Sequence, residues 1–219
     1  MTIDNDSALT LPGRFFCLDG PDGGGKTTQA ARLVDALRGL GREVVACRDP
    51  GGTALGERLR GILLDRGPLQ PVMRAEMLLF NASRAQLVAE IIQPALARGA
   101  VVVADRYLLA NVVYQGYAGG LPVDEVWAVG RAATGGLMPD LTLLLDVPPE
   151  VAKQRVGLAR DRMEDRPDSY RLAVRNGFLQ AVESYPGTIR VLDATGDPEA
   201  VAQRIFEEVR HALALDPRT

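Results

Sequence analysis

From Asp19 to Thr28 the chain reads DGPDGGGKTT, in which Gly20, Gly25, Lys26 and Thr27 fill the pattern G-x-x-x-x-G-K-[ST]. Before it lies an apolar run, RFFCLD from Arg14 to Asp19, that reads as a short strand. After it Ala30, Leu33, Val34, Leu37 and Leu40 recur at helical spacing. Strand, glycine loop and helix in that order form a phosphate cradle. Gly20, Gly23, Gly24 and Gly25 let successive N–H groups turn inward, and the helix start adds its partial positive charge. In such a cradle Lys26 bridges the β- and γ-phosphates, Thr27 ligates Mg2+ through its hydroxyl, and Asp22 and Thr28 complete the wall around the nucleotide. A glycine-rich turn that merely connects strand to helix is the bland alternative. Dinucleotide binding fits poorly: that loop wants G-x-G-x-x-G and an acid closing the second strand, where this chain has Cys47 and Arg48.

The rest of the chain repeats the alternation. Strand patterns fall at Glu43 to Cys47, Ala100 to Ala104, Leu141 to Val147 and Thr188 to Leu192. Helical patterns run from Leu55 to Leu63, Val72 to Ala97, Leu108 to Tyr117, Val123 to Ala133 and Glu199 to Leu213, with one more after Pro149. Alternating β and α units predict an α/β fold of the P-loop NTPase kind, a doubly wound, five-stranded parallel sheet flanked by helices. We expect one domain over 13–215, a flexible tail over 1–12 and a lid around 157–167.

Composition narrows the partners. The 219 residues carry 25 Lys and Arg against 28 Asp and Glu, a formal net charge of −3, so no basic nucleic-acid footprint is present. The N-terminus lacks a basic n-region with an apolar core, and no apolar run approaches the roughly 18 residues of a membrane span. A soluble, cytoplasmic protein is expected, with neither nucleic acid nor membrane as partner. Cys17 and Cys47 lie in strand patterns and read as inert buried thiols, and the single histidine, His211, reads as a surface residue. One histidine in the chain speaks against Ser/His/Asp triads and His-rich metal sites.

A phosphate loop alone does not choose among kinases, GTPases and partition ATPases. No N-K-x-D tetrapeptide reads guanine here, and Pro21 occupies the place of the second lysine of partition ATPases. A kinase for a nucleoside monophosphate would need cations beyond Lys26 for a second phosphate; Arg48, Arg60 and Arg106 each flank a predicted strand or loop on the carboxyl side of the sheet, where open α/β folds bind ligands, although taken singly each also reads as a solvated surface residue.

Six further segments sharpen this. FFCLDGPDGGGKTT, Cys47 to Thr53 (CRDPGGT), Leu59 to Leu64, Glu76 to Gln86 (EMLLFNASRAQ), Asp105 to Tyr107 with Tyr114 to Gly116 (DRY…YQG), and Asp161 to Glu164 (DRME) together resemble the thymidylate kinase family from Arg14 to about Arg204. The resemblance implies transfer of the γ-phosphoryl of ATP to dTMP with Mg2+, in a homodimer formed through the long helices. It implies that Asp105 positions the acceptor phosphate and Mg2+, that Phe80 stacks on thymine, and that Arg84 donates to thymine O4. Phe80 and Arg84 are four apart and share a helix face. By the same resemblance Asp22 contacts the deoxyribose 3′-hydroxyl and Tyr114 crowds the 2′-carbon. Asn111 hydrogen-bonds the base edge, Gln115 belongs to the same Y-Q-G turn of the substrate site, and Arg155 lies against adenine.

Three positions depart from the family pattern: Asp19 and Asp49 stand where glutamate is usual, and Ala110 where serine is common. Asp49 thereby loses a methylene of reach for a water-mediated Mg2+ contact. The family carries its catalytic arginine in the loop or in the lid. Gly23 fills the loop position, so Arg160 and Arg162 are expected to neutralise the transferring group. Another P-loop nucleoside or nucleotide kinase, and a non-catalytic module switched by ATP, are the remaining alternatives.

Overall fold

The computed structural model describes residues 13–156, 161–163 and 165–214. The expected tail over 1–12, and Arg160 within the expected lid, lie outside the described residues. The strands are β1 (Arg14–Asp19), β2 (Val44–Arg48), β3 (Val101–Asp105), β4 (Leu141–Asp146) and β5 (Ile189–Asp193), all parallel, in the order β2-β3-β1-β4-β5. Helices connect them: α1 (Lys26–Gly39), α2 (Ala54–Leu64), α3 (Met73–Leu87), α4 (Gln93–Ala97), α5 (Leu108–Asn111), α6 (Val123–Thr134), α7 (Pro149–Val156), α8 (Asp168–Glu183) and α9 (Pro198–Ala214). The predicted class and strand number hold.

Because side chains alternate across a strand, the sheet divides its apolar residues between two cores. Phe15, Cys17, Val102, Ala104 and Leu144 face one way, onto Leu87 and Ile92, Trp127 of α6 and Phe178 of α8. Phe16, Leu18, Val101, Val103, Leu143 and Leu145 face the other, onto Leu33 and Leu37 of α1 and Val201, Ile205 and Val209 of α9. β2 differs from the expected buried strand. It lies at the sheet edge, only Val44 is fully buried, and Cys47 is half-buried. His211 is exposed as expected.

The long helix predicted over Val72 to Ala97 forms, but residues Val88–Ile92 wind as a π-helix between α3 and α4. Pro94 explains the change: it offers no N–H and its ring crowds the carbonyl four residues back, so the preceding turn widens. A second π-helical turn, Val112–Tyr117, continues α5 and carries Tyr114 and Gln115. Register aligns Leu18 and Arg48 with Asp105, so the carboxyl ends of β1, β2 and β3 finish side by side at one rim.

Candidate active site

That rim opens into a cleft of about 800 Å³. At its floor the loop after β1 enters α1. Gly20 (φ 138°) and Gly23 (φ 78°) adopt conformations that L side chains rarely hold. A Cβ at Gly23 would lie 2.4 Å from the Ala152 carbonyl of α7, so this position excludes any side chain, arginine included. Gly25 caps α1 without a side-chain hydrogen bond, which leaves the first N–H groups of the helix for a ligand. Lys26 is buried, and its Nζ donates to Pro21 O at 2.7 Å. Burial, aided by the Arg106 charge, pulls the ammonium down to about 8.

Thr27 Oγ1 donates to Asp105 Oδ2 at 2.6 Å, which brings a hydroxyl and a carboxylate together beside Lys26. Hard oxygen donors of this kind suit Mg2+, which takes one or two protein oxygens and completes its shell with water and phosphate. Among the described residues no cluster of three or more His, Cys, Asp or Glu could hold a metal by itself. The fit is therefore to a substrate-completed ion.

Next to the loop, Arg106 has φ 70°, an unusual conformation for a side-chain-bearing residue that costs about 1–3 kcal/mol and clusters at functional sites. The strain aims its guanidinium back across β1. Nη1 donates to Gly20 O at 2.8 Å and Nη2 to Asp22 Oδ1 at 2.5 Å and to the Tyr114 hydroxyl at 3.2 Å. Tyr114 in turn donates to Asp22 Oδ2 at 2.8 Å. Burial opposes the Asp22 charge, but Arg106, Lys26 and Tyr114 outweigh it and hold this carboxyl below its usual range. Asp19, fully buried, is pushed up to about 6 by burial. It accepts from the Gly20 and Ala110 N–H groups, so the shorter acid at this family position still reaches two donors.

Farther along, side chains replace backbone. Arg84 is 1% exposed; its Nε donates to Asp49 Oδ2 at 2.5 Å and its Nη1 to Asn81 Oδ1 at 2.9 Å, while Nη2 reaches Tyr107 O only at 3.5 Å. Nη2, which carries two N–H groups, thus retains donor capacity. Burial raises the Asp49 carboxyl against the pull of Arg84, and Asp49 Oδ1 is buried with no protein partner. Of the water-mediated metal contact expected at Asp49, only Oδ1 remains for it. Half-buried Phe80 joins Arg84 on the cleft wall. Asn81 Nδ2 donates to Asn111 Oδ1, Asn111 Nδ2 to Gln115 Oε1, and Gln115 Nε2 to Glu76 Oε1.

The wall thus gathers Asp22 to Thr28, Arg48, Asp49, Arg60, Phe80, Arg84, Asp105, Arg106, Asn111, Tyr114, Gln115 and Arg155. Arg48 pairs with Glu57 at 2.8 Å and Arg60 donates to Pro50 O at 2.9 Å, both in the cleft lining. Arg155 donates to Ala194 O and Thr195 O on the opposite side, among Gly196, Pro198 and Val201. Gly20 and Arg162 stand outside this wall, and Arg162 departs furthest from expectation. Expected at the transferring group, it does not line the cleft: its Nη2 donates to Glu76 Oε2 at 2.6 Å, and Nε and Nη2 donate to Leu63 O. A buried carboxylate attracts the nearest guanidinium more strongly than a solvated cleft does. Sequence reasoning missed Glu76, Asn81 and the 194–201 wall. Glu76 and Asn81 sit inside the quoted EMLLFNASRAQ segment, yet nothing local marks them as buried polar partners.

The model of the thymidylate kinase family matches residues 18–205. The chain is 47% identical to a thymidylate kinase of Rhodopirellula baltica over 204 residues, 93% of this chain and 83% of that protein. It is 44% identical to one of Synechococcus sp. over 92% of this chain and 96% of that protein. A Bifidobacterium longum thymidylate kinase is 44% identical over 91% of this chain and 98% of its own length. With a glycine loop, a strained arginine and an Arg-lined wall converging on one rim, this chain belongs to the thymidylate kinase family.

Proposed function

We propose that the protein transfers the γ-phosphoryl group of ATP to dTMP, releasing dTDP and ADP, and that the cleft divides between the two nucleotides along the line from Lys26 to Asp105. The carrying observation is the convergence of Lys26, Arg106, Arg48 and Arg60 on one cleft that also holds the Phe80 and Arg84 wall. Two phosphate chains need that many cations, and a pyrimidine needs that wall.

Phosphoryl transfer asks little covalent chemistry of the protein, so positioning and charge carry the rate. Lys26 and the N–H groups of Gly23 to Thr28 hold the donor phosphates, and Arg155 lies against adenine. Arg106, Arg48 and Arg60 hold the acceptor phosphate in line. Thr27 and Asp105 would hold Mg2+, with Asp49 Oδ1 as the acceptor left for a bound water, and the ion would supply charge neutralisation at the transferred phosphates. Asp22, fixed by Arg106 and Tyr114, accepts from the 3′-hydroxyl, and the Tyr114 ring excludes a 2′-hydroxyl. Arg84 Nη2 donates to O4 of thymine stacked on Phe80, with Asn111 and Gln115 fixing the base edge. Arg160 is the lid cation for the transferring group.

Leu69 (54% exposed), Val72 (72%) and Leu78 (50%), on and just before α3, are exposed apolar side chains that support contact with a second copy of the chain. Among the described residues no helix is long and apolar enough to cross a membrane, in keeping with work in the cytoplasm.

An acceptor series tests the reading. Coupled ADP release should be fastest with dTMP. It should fall by roughly 10- to 200-fold in kcat/KM with dUMP, which lacks one methyl, and much further with dCMP. Equal turnover of dTMP and dCMP, or faster turnover of a purine monophosphate, overturns it.

A further inference from the structure

Glu76 stands in the first turn of α3 with no solvent exposure at all. A buried carboxylate persists only where donors replace its water. Three side chains from two other parts of the chain do so here. Gln115 donates to Oε1 at 2.8 Å, and Arg162 and Arg166 donate to Oε2 at 2.6 and 3.3 Å.

The same Arg162 guanidinium donates to Leu63 O in the last turn of α2, where carbonyls lack partners within the helix. Its neighbours Asp161 and Met163 are cleft walls. Arg166 lies over the Tyr170 ring at 4.9 Å, and the Tyr170 hydroxyl donates to Tyr114 O at 2.6 Å. Residues 161–163 and 165–166 are thereby fastened to α2, which carries Arg60, to α3, which carries Phe80 and Arg84, and to the π-helical turn that carries Tyr114 and Gln115.

We propose that Glu76 and Arg162 form a latch that seats residues 161–163 and 165–166 on the acceptor half of the cleft, and that both are positioning residues. Arg162 then acts through Glu76 and the Leu63 carbonyl and does not touch the transferring group. This rests on the assigned acceptor half of the cleft. Because Gln115 shares the same carboxylate and continues to Asn111, Asn81 and Arg84, the latch and the base wall are one hydrogen-bonded unit.

Kinetics and limited trypsinolysis of the full-length protein test this. Arg162→Gln and Glu76→Gln should each raise KM for dTMP about tenfold with kcat within about threefold of wild type. The double variant should be no worse than either single, the signature of one shared interaction. Trypsin should cut after Arg160 at least about fivefold faster in Arg162→Gln than in wild type with circular dichroism unchanged, a readout independent of any substrate. If Glu76→Gln does not fold, Arg162→Gln still decides, since Glu76 keeps Gln115 and Arg166. A fall of 100-fold or more in kcat for Arg162→Gln at unchanged KM makes Arg162 a catalytic cation and overturns the proposal. Additive effects in the double variant, or unchanged cleavage after Arg160, overturn it as well. Failure of dTMP as acceptor for the wild type would remove the assigned function instead and leave the cleavage result standing.

Discussion

At the end of the cleft proposed for phosphates the wall is mostly backbone, turned inward by glycines and finished by Lys26 and Thr27, whereas at the end proposed for the base it is a chain of buried side chains running Asp49, Arg84, Asn81, Asn111, Gln115 and Glu76, closed by the half-buried Arg162. The two materials suit their ligands. A phosphate chain is the same in every nucleotide, and N–H groups at a helix start recognise it without regard to what it carries. A pyrimidine has a donor and acceptor pattern that only fixed polar side chains can read, and fixing them inside the protein requires each to be partnered. The phosphate end should therefore fail through chemistry when disturbed, and the base end through selectivity and stability together.

Lys26→Ala gives the largest effect on rate. Loss of one fixed donor to a developing charge costs about 10²–10³-fold, so kcat should fall at least about 100-fold while circular dichroism and melting stay near wild type. Retained turnover would show that backbone alone suffices at this end and would break the contrast.

Arg84→Leu should do the opposite. Its side chain is 2% and that of Asp49 0% exposed, so removal strands a buried carboxylate and should destabilise by about 3–5 kcal/mol, read in a denaturant titration. In the fraction that folds, KM for dTMP should rise strongly. The dTMP to dCMP ratio of kcat/KM should shrink, because the donor that repels the cytosine amino group is gone. An unchanged ratio would mean that Arg84 supports the wall without reading the base.

The smallest effect is on pH. Bound phosphates favour the Lys26 ammonium, so ATP binding requires a proton that burial has pulled down to about 8 in the free protein. As pH rises through about 8 that proton is lost, and kcat/KM for ATP should fall by about tenfold per unit. The kcat itself, set in the complex where the phosphates hold the proton, should stay level to higher pH. The base end, held by guanidinium groups, should leave the dTMP to dUMP ratio flat over the same range. A level kcat/KM to pH 9.5 would place Lys26 in a better-solvated setting.

What the sequence determined is what short-range chemistry dictates. The glycine loop, the strand before it and the helix after it follow from ten consecutive residues, and the alternation of apolar runs set the parallel sheet and its strand count. Phe80 and Arg84 share a wall because four residues make about one helical turn. The tertiary structure decided the rest, because partners distant in sequence compete for the same group. Arg162 and Glu76 are 86 positions apart, and nothing near either indicates that a buried carboxylate will claim the guanidinium before a phosphate does. Likewise Cys47 of β2 reads as buried until the strand order puts β2 at the edge, and Asp49 reads as a metal-side acid until Arg84, 35 positions away, takes one of its oxygens. Burial sets such pairings, and burial is a property of the assembled chain.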